Sequence, residues 1–448
     1  MHDETTAEGD PVRVGVLSFH NSKESKAICN AIEELGHEPI WMRENNVLMR
    51  FTDGRFVLDP AVDVVVHRLL LSTAKQPEEA VGFANAIARF RPMVNAPDAA
   101  ALASHKIAAA AALVRDGVPI PETALAFGTS TVGRVRPEFG EEFVYNTIVG
   151  THGGGAWKVH QSDLITGTVG TRRAFLQELV GTDDERTRDL RVYVVDGSVV
   201  GAMFRYAAED DWRTNVTRGG SVEDATESLP DAVEAIARRA TSAVGLDCAG
   251  VDLIEGDDDW FVLEVNPTAG FTGLFRATGR SPAPLIAKLA IQRAGGTVDD
   301  ARVEALRATL DDSVPSCVPK RVQPIESEAP VVGLTERVVV SGTTDTKSVI
   351  GRADPTSART RIDLQLAAGI GAGPIQVRHD DADRHGRRRQ PVVDVVIGIA
   401  GSEKTVDATV ADRAEHTYPL VLGRDVLADF RIDVGNRYDD RERDRLEE

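Results

Sequence analysis

The stretch VPSCVPKRVQPIESEAP, residues 314–330, carries four prolines among mixed polar residues. Proline fixes φ and removes a backbone donor, so neither a helix nor a central strand runs through such a segment. It reads as a linker, and the hydrophobic period changes across it. Before it, apolar runs alternate with helical patterns. After it, residues 331–438 read almost entirely as short strands: ERVVVS, TKSVIGRA, PVVDVVIGI, KTVDATV, YPLVLG and RIDV. A chain of 448 residues has room for two to four domains. This one is expected to hold an α/β and α+β region followed by a small all-β barrel or sandwich.

Upstream, VRVGVLS (12–18) and DVVVHRLL (63–70) are buried strands. Between them a helix carries Ala27, Ile28, Ala31, Ile32 and Leu35 on one face and ends at Gly36. A helix over about 77–90 and the strand PMVNA complete a small parallel α/β domain, 11–98. The block 99–295 is α+β. A helix runs from near Ser104 to Gly117, and FVYNTIV (143–149) and FLQEL (175–179) are strands. The hairpins LRVYVVDGSVVGAMFRY (190–206) and CAGVDLIEGDDDWFVLEVN (248–266) flank a helix over 230–244. Asp196-Gly197 supplies the positive φ angles of a tight hairpin turn. Residues 296–330 form the linker, and the ends 1–10 and 439–448 read as charged, disordered tails.

The formal net charge is −19, which excludes a general nucleic-acid binder, since that task needs a basic surface. Only nine of the 51 basic residues are lysine. Abundant acid with scarce lysine resembles the proteins of extreme halophiles, whose acidic surfaces stay hydrated in high salt. No apolar run approaches the ~20 residues of a membrane span. Cys29, Cys248 and Cys317, far apart in sequence, fit no disulfide framework and no CxxC metal site. A cytoplasmic protein is expected.

The chemistry concentrates at FVLEVNPTAGFTG, residues 261–273. Side chains alternate along a strand, so Glu264 and Asn266 share a face. With Asp257–Asp259 as the hairpin loop, Asp252 lies across from Glu264. Three oxygen ligands from adjacent strands suit a hard cation such as Mg²⁺. GTHGGG (150–155), with Gly153, Gly154 and Gly155, can turn backbone amides toward phosphate, though the same residues suit a Gly-rich hairpin turn. Lys106, near a helix start, could contact a phosphate. Arg191, Arg205, Arg213 and Arg218, with Asn215, form a candidate anion site. HDDADRH (379–385) has metal-binding residue types without regular spacing and reads as a solvated loop.

In this order the pieces resemble the ATP-grasp ligases of the RimK type, over residues 99–292. The resemblance rests on the SHK start with Lys106, the GTHGGG loop, the hinge LQELV with Gln177, Glu178, Leu179 and Val180, and DLRVYVVDGSVVGAMFR with Asp189, Arg191 and Arg205. It continues through WRTNVTRGG with Arg213 and Asn215, and AGVDL followed by VLEVNPTAGFTG with Asp252, Glu264, Asn266 and Gly270. Residues 11–98 look like the domain that precedes an ATP-grasp fold, and Arg68 sits where such domains reach the substrate pocket.

The resemblance implies ATP bound between two lobes, with Gln177–Val180 facing adenine. It implies two Mg²⁺ ions (or Mn²⁺) on Asp252, Glu264 and Asn266. A carboxylate acceptor, whether a protein C-terminus, a coenzyme or a small metabolite, would form an acylphosphate, and an amino acid such as glutamate would then form an amide. Rival readings are a non-catalytic ATP-binding scaffold or sensor, and a bifunctional ligase and peptidase. The family usually carries a lysine where this chain has Asn146, and Lys158 beyond the loop is a candidate substitute. Residues 331–438 resemble the retropepsin-like domain that accompanies RimK proteins, often described as an ATP-dependent zinc protease. The likeness lies in ARTRID (358–363), GRRRQPVV (386–393) and PLVLGRDVL (419–427). Its Asp-Thr-Gly-Ala site reads Asp354-Pro355-Thr356-Ser357 here, which predicts a degenerate site, with Asp425 paired to Arg424 or another arginine. A homo-oligomer is expected, since such a site needs two copies.

Overall fold

The computed structural model describes residues 10–72, 74, 76–151, 154–169, 172–181, 187–207, 212–214, 220–257, 259–318, 329–372, 376–379 and 389–438. The chain divides into two compact units, 1–122 with 179–322, and 123–178 with 323–448.

The first unit opens with a four-stranded parallel sheet in the order Glu38–Met42, Arg13–Leu17, Val64–His67, Met93–Val94. All four residues of Val64–His67 are buried, as expected of a strand covered on both faces. The helix Lys23–Glu34 is N-capped by Ser22, whose hydroxyl accepts from Ser25 N at 3.0 Å. The first helical pattern of the next block is two helices, Pro97–Ser104 and Lys106–Arg115, broken at His105. The edge strand Glu38–Met42 and the separate hairpin Leu48–Thr52 with Arg55–Asp59 escape the sequence reading.

A five-stranded antiparallel sheet follows, in the order Ser221–Asp224, Ser198–Tyr206, Arg188–Val195, Cys248–Glu255, Trp260–Asn266. Both expected hairpins are present, and Asp196 and Gly197 take φ of 49° and 69° at the first turn. One sheet face, with Val192, Val194, Val251 and Val265, packs on Val233, Ala237 and Ala240 of the helix Asp231–Ala243. The i, i+4, i+7 spacing of those helical residues is the apolar stripe of a surface helix. On the opposite face Tyr193, Val195, Met203 and Cys248 join Ile286, Ala287 and Ala290 of the helix Ala283–Arg293.

Asn95 ties the two sheets together. Its amide donates to Cys248 O at 2.8 Å and Pro267 O at 3.0 Å, and its carbonyl accepts from Asp247 N and Cys248 N at 2.9 Å each. Its φ of 61° lies in the left-handed region that asparagine tolerates. Residues 296–318, expected as linker, pack on this unit instead. The helix Asp300–Arg307 is anchored by Lys288–Asp300 at 2.5 Å, and Ser281 N donates to Arg307 O at 2.8 Å.

In the second unit, residues 123–178 form a sheet in the order Thr168–Val169, Arg172–Glu178, Glu142–Thr151, Gly154–His160, with Thr123–Ala124 on Arg172–Glu178. Phe143, Tyr145, Trp157, Val159 and Leu176 form its core. Residues 331–437 form an eight-stranded sheet whose strand Val331–Ser341 also pairs with Arg389–Ile399, closing it. The short helices Leu364–Gly369 and Arg424–Leu427 accompany this sheet. Among the described residues no helix is long and apolar enough to cross a membrane.

Asn95→Ala removes four buried hydrogen bonds and leaves two amides and two carbonyls of the central sheet region without them. We expect a loss of about 3 kcal/mol, read as a lower urea midpoint for the tryptophan fluorescence transition.

Candidate active site

The central strand Arg188–Val195 sets the site. Its register places Asp189 opposite Arg205, Arg191 opposite Asp252, and Tyr193 opposite Gly250. The next strand places Asp252 opposite Glu264 and Gly250 opposite Asn266. Directly opposed residues share a sheet face, so Asp189, Arg205, Arg191, Asp252, Glu264, Tyr193 and Asn266 all lie on one. Asp252 does lie across from Glu264, as the sequence reading required.

The charges on this face form a buried ladder. Arg205 grips Asp189 through Nε and Nη2 at 2.6 and 2.5 Å. Arg191 grips Asp252 the same way, at 2.6 Å through each nitrogen. Arg205 Nη2 also lies 3.1 Å from Asp252 Oδ2, linking the pairs. Thr214 Oγ1 donates to Asp189 at 2.6 Å. Burial opposes ionisation of Asp252, but Arg191 and Arg205 together outweigh it and hold its carboxyl below the usual range. Burial likewise opposes the charge on Arg191, and Asp252 more than reverses it.

Both oxygens of Asp252 are therefore taken by guanidinium groups. Glu264 and Asn266 differ: both are half-buried, and their side chains have no hydrogen-bond or ion-pair partner among the described residues. A carboxylate and an amide oxygen on alternate positions of one strand fit a hard cation. Asp252 could join them only by exchanging a guanidinium contact. Among the described residues no group of three or more His, Cys, Asp and Glu side chains is arranged to hold a metal, so this set of two carboxylates and an amide is the candidate.

Beyond Asn266 the chain turns at Gly270, whose carbonyl accepts from the Tyr193 hydroxyl. Thr272 Oγ1 donates to Glu24 Oε1 at 2.9 Å, bringing the first turn of the helix Lys23–Glu34 to this loop. Arg68 is 6% exposed, and among the described residues it makes no ion pair and its buried Nε has no partner. Burial lowers its pKa and Glu24 only partly offsets this, with Cys248 and Tyr193 also within electrostatic reach. The neighbouring His67 is buried, with neither ring nitrogen partnered among the described residues, and burial, then Arg68, pushes its pKa down to about 4. An unpaired buried guanidinium is costly unless an anion meets it.

A small cavity in the same unit is lined by Val180, Arg188, Asp189, Phe204, Glu255 and Trp260. The Arg188 guanidinium lies over the Phe204 ring, 4.7 Å from its centroid, within the ~6 Å of a cation–π contact, and 3.2 Å from Glu255. Val180 and Asp189 are thus brought to one pocket. Leu179 precedes Val180, and Lys106 opens its helix on this unit. Arg213 is buried next to Thr214. Asn215, Arg218 and Gly153 lie outside the described residues.

In the second unit Asn146 pairs with Ala156 and with Phe175, and Val144 pairs with Lys158 and with Gln177. Asn146, Lys158 and Gln177 consequently share the face opposite the lobe's aromatic core. Lys158 meets Glu142 at 2.6 Å, and Gln177 donates weakly to Thr123 at 3.4 Å. Glu178 ends its strand on the other face. Thr151 pairs with Gly154 across the loop. Gly155 has φ 94°, and a Cβ there would lie 2.4 Å from Thr147 Oγ1, so only glycine fits.

Asp354 accepts from Thr356 N at 3.1 Å, Thr356 Oγ1 at 2.5 Å and Arg361 Nη2 at 2.6 Å. The Thr356 hydroxyl contact is the main reason its carboxyl sits below the usual range. The expected Asp425–Arg424 pair is corrected. Asp425 accepts from Thr360 N and Oγ1 at 2.8 Å each, while Arg424 donates to the carbonyls of Pro355 and Thr356. The short helix begins at Arg424, and its start turns the two side chains to different neighbours. The segment 380–388, holding most of HDDADRH, lies outside the described residues.

Sequence reasoning missed Tyr193, Thr214, Glu24 and Trp260. Tyr193 was within reach, because it follows Asp189 and Arg191 at the strand period. Glu24 was not, because only the fold brings it to Thr272.

Comparison with known proteins gives a match of residues 103–289 to the RimK-like ATP-grasp domain. The tetrahydromethanopterin:alpha-L-glutamate ligase of Methanosarcina acetivorans is 32% identical over 228 residues, 43% of this chain and 68% of that one. The ligase of the same name from Methanocaldococcus jannaschii is 33% identical over 195 residues, 42% of this chain and 66% of that one, so the match spans just under two thirds of that relative. A probable alpha-L-glutamate ligase of Mannheimia succiniciproducens is 28% identical over 265 residues, 55% of this chain and 87% of that one. Among solved structures, the ATP-grasp ligase PsnB, complexed with a phosphomimetic variant of minimal precursor, Mg and ADP, superposes with a TM-score of 0.51. It is 21% identical, over 63% of this chain and 98% of that one, a likeness of fold.

The lowered carboxyl of Asp252 stabilises the fold above the unfolded value of about 3.9, and this contribution is lost as pH falls below it. Asp63, held down by its hydrogen bond with Arg13, adds in the same direction. Asp252→Asn is expected to flatten stability against pH below about pH 4. At neutral pH it should cost about 3–5 kcal/mol, because two arginines stay buried with too little counter-charge. Urea unfolding at a series of pH values checks both.

Proposed function

Because the chain belongs to the RimK-like ATP-grasp family of carbon–nitrogen ligases, we propose that it joins an amino acid, glutamate or one similar to it, to a carboxylate acceptor at the expense of ATP. The observation that carries this reading is the pair of unengaged oxygens on Glu264 and Asn266 beside the locked arginine ladder. The names of the glutamate-ligase relatives support the choice of amino acid.

The acceptor carboxylate takes the γ-phosphoryl group to give an acylphosphate and ADP. The incoming amine then displaces phosphate and forms the amide. The chain needs no nucleophile of its own; it positions reactants and meets their charge. Arg191 and Arg205, held rigid by Asp252 and Asp189, offer fixed positive charge to phosphoryl oxygens, with Arg213 and Asn215 completing the catalytic group. Glu264 and Asn266, joined by Asp252 where it exchanges a guanidinium contact, would hold Mg²⁺, which neutralises phosphate charge when bound. Arg68 takes a substrate carboxylate, and Tyr193 fixes the turn at Gly270 beside it. The pocket of Val180 and Trp260 suits the adenine. Lys158, on the same face as Asn146, provides the ammonium that Asn146 lacks, once freed from Glu142. Lys106 and the Gly153–Gly155 loop complete the phosphate contacts.

The domain arrangement proposed is 11–98 preceding the grasp fold, 99–295 the grasp fold, and 331–438 a retropepsin-like domain. That last domain is proposed to bind without cutting, because Thr356 and Arg361 engage the carboxylate of Asp354, leaving it no proton to share with a second copy. The acidic, lysine-poor composition supports a halophilic setting.

Glu264→Ala should abolish ADP formation in a screen of amino acids and cell extract with ATP, with an unchanged melting temperature; turnover near wild type would remove the metal assignment. Arg68→Ala should raise KM for the carboxylate substrate at least tenfold, with a smaller effect on ATP.

The full chain should release no fragments from a peptide library, with or without Zn²⁺. Cleavage that disappears in Asp354→Asn would restore the peptidase reading.

A further inference from the structure

The cysteines that look unrelated in sequence do not stay apart in the fold. Residues 311–318 lie along the helix Lys23–Glu34. Asn30 Nδ2 donates to Asp311 O at 2.9 Å and to Ser313 O at 3.3 Å. Lys23 meets Asp312 at 3.4 Å, and the Ser316 hydroxyl donates to Glu33. Glu33 stands one turn beyond Cys29 on the same helix face. The segment therefore brings Cys317, the residue after Ser316, alongside the helix turn that carries Cys29, close enough that each thiol shifts the ionisation of the other.

The two thiols have opposite surroundings. Cys29 is fully buried and Cys317 is exposed. The hydrogen bond from Cys29 lowers the Cys317 pKa, with the backbone amides of Trp41 and Cys317 adding to it against burial and the charge of Glu33. The same contact and burial raise Cys29. Cys248, the third thiol, is buried and pushed up by its surroundings, chiefly burial. An accessible thiol with thiolate character beside a second thiol is the arrangement that peroxides oxidise selectively.

We infer that Cys317 is an oxidation site and that Cys29 resolves it, giving a reversible intramolecular disulfide between the first helix and the segment at 311–318. The Cys317 thiolate attacks the hydroxyl oxygen of a hydroperoxide, the O–O bond breaks, the sulfenic acid forms, and the departing oxygen takes a proton from water and leaves as the alcohol or water. The Cys29 sulfur then attacks the sulfenic sulfur, the S–S bond forms, and the hydroxyl leaves as water with the Cys29 proton. Two thiols and one hydrogen peroxide give one disulfide and two waters. The bond fastens residue 317 to a helix whose first turn, through Glu24, holds the loop at Thr272.

The test treats the full chain with one equivalent of hydrogen peroxide, then counts thiols with a denaturing alkylation and maps disulfides by mass spectrometry before and after dithiothreitol. The expected result is a fall from three reactive thiols to one, a Cys29–Cys317 linked peptide, and a melting transition raised by roughly 5 °C that dithiothreitol reverses. In the native protein Cys317 should alkylate first, at a pH below that of an ordinary thiol at about 8.5. Cys317→Ser, an exposed change that leaves the core alone, should abolish the crosslink, and Cys248→Ser should preserve it. Three thiols remaining after peroxide, a dimer linked through Cys317, or over-oxidation of Cys317 without a crosslink would each overturn the inference.

Discussion

Two arginines and two aspartates stacked on one face of a β-sheet govern this protein. Each pair is a planar fork against a carboxylate, so two parallel bonds fix both side chains. Removing such groups from water is costly, and only their mutual placement offsets it. That placement exists in one register alone. A one-residue slip of Arg188–Val195 would carry Asp189, Arg191 and Tyr193 to the face that packs on the helix Asp231–Ala243, and Leu190, Val192 and Val194 to the charged side. The ladder thus enforces the pairing of the strand with both neighbours, and through Cys248–Glu255 it positions Glu264 and Asn266 as well.

Much of this was readable before any coordinates. Alternating side chains and a short Asp-rich loop are strictly local signals, and they placed Asp252 across from Glu264. What they could not give was the occupancy of Asp252, because its partner Arg191 reaches it from another hairpin. The ligand set therefore reads as three equivalent oxygens in the sequence and as two open ones and one engaged one in the fold. Edge strand Glu38–Met42 was missed because its burial comes from distant packing and not from its own pattern. The helix at 300–307 falls in the stretch assigned to the linker, because its seating on Lys288 and Ser281 is a tertiary contact that the local pattern does not display.

The same distinction separates motif from chemistry in the second unit. The register brings Lys158 onto the face of Asn146, a fact that depended on where the glycine loop turned. Asp354 keeps the residue type of an acid catalyst, but its immediate neighbours Thr356 and Arg361 make it a structural anion. Residue identity states which chemistry is available, and the hydrogen-bond partners decide whether it is free to act.

Asn95 has a consequence for how such chains diversify. The four hydrogen bonds of its side chain land on backbone at residues 247, 248 and 267 and constrain position, while its own N–H donates to the Asp247 carboxylate at 2.7 Å and ties the junction to that side chain as well. Substitutions can accumulate on both sides of the junction while its geometry persists. A recombination crossover near residue 98 would have to import the asparagine together with a matching Asp247–Cys248 bend. The N-terminal sheet and the ladder-bearing sheet therefore depend on one another at this junction, and a donor domain lacking that latch would arrive with its neighbour's carbonyls unmet.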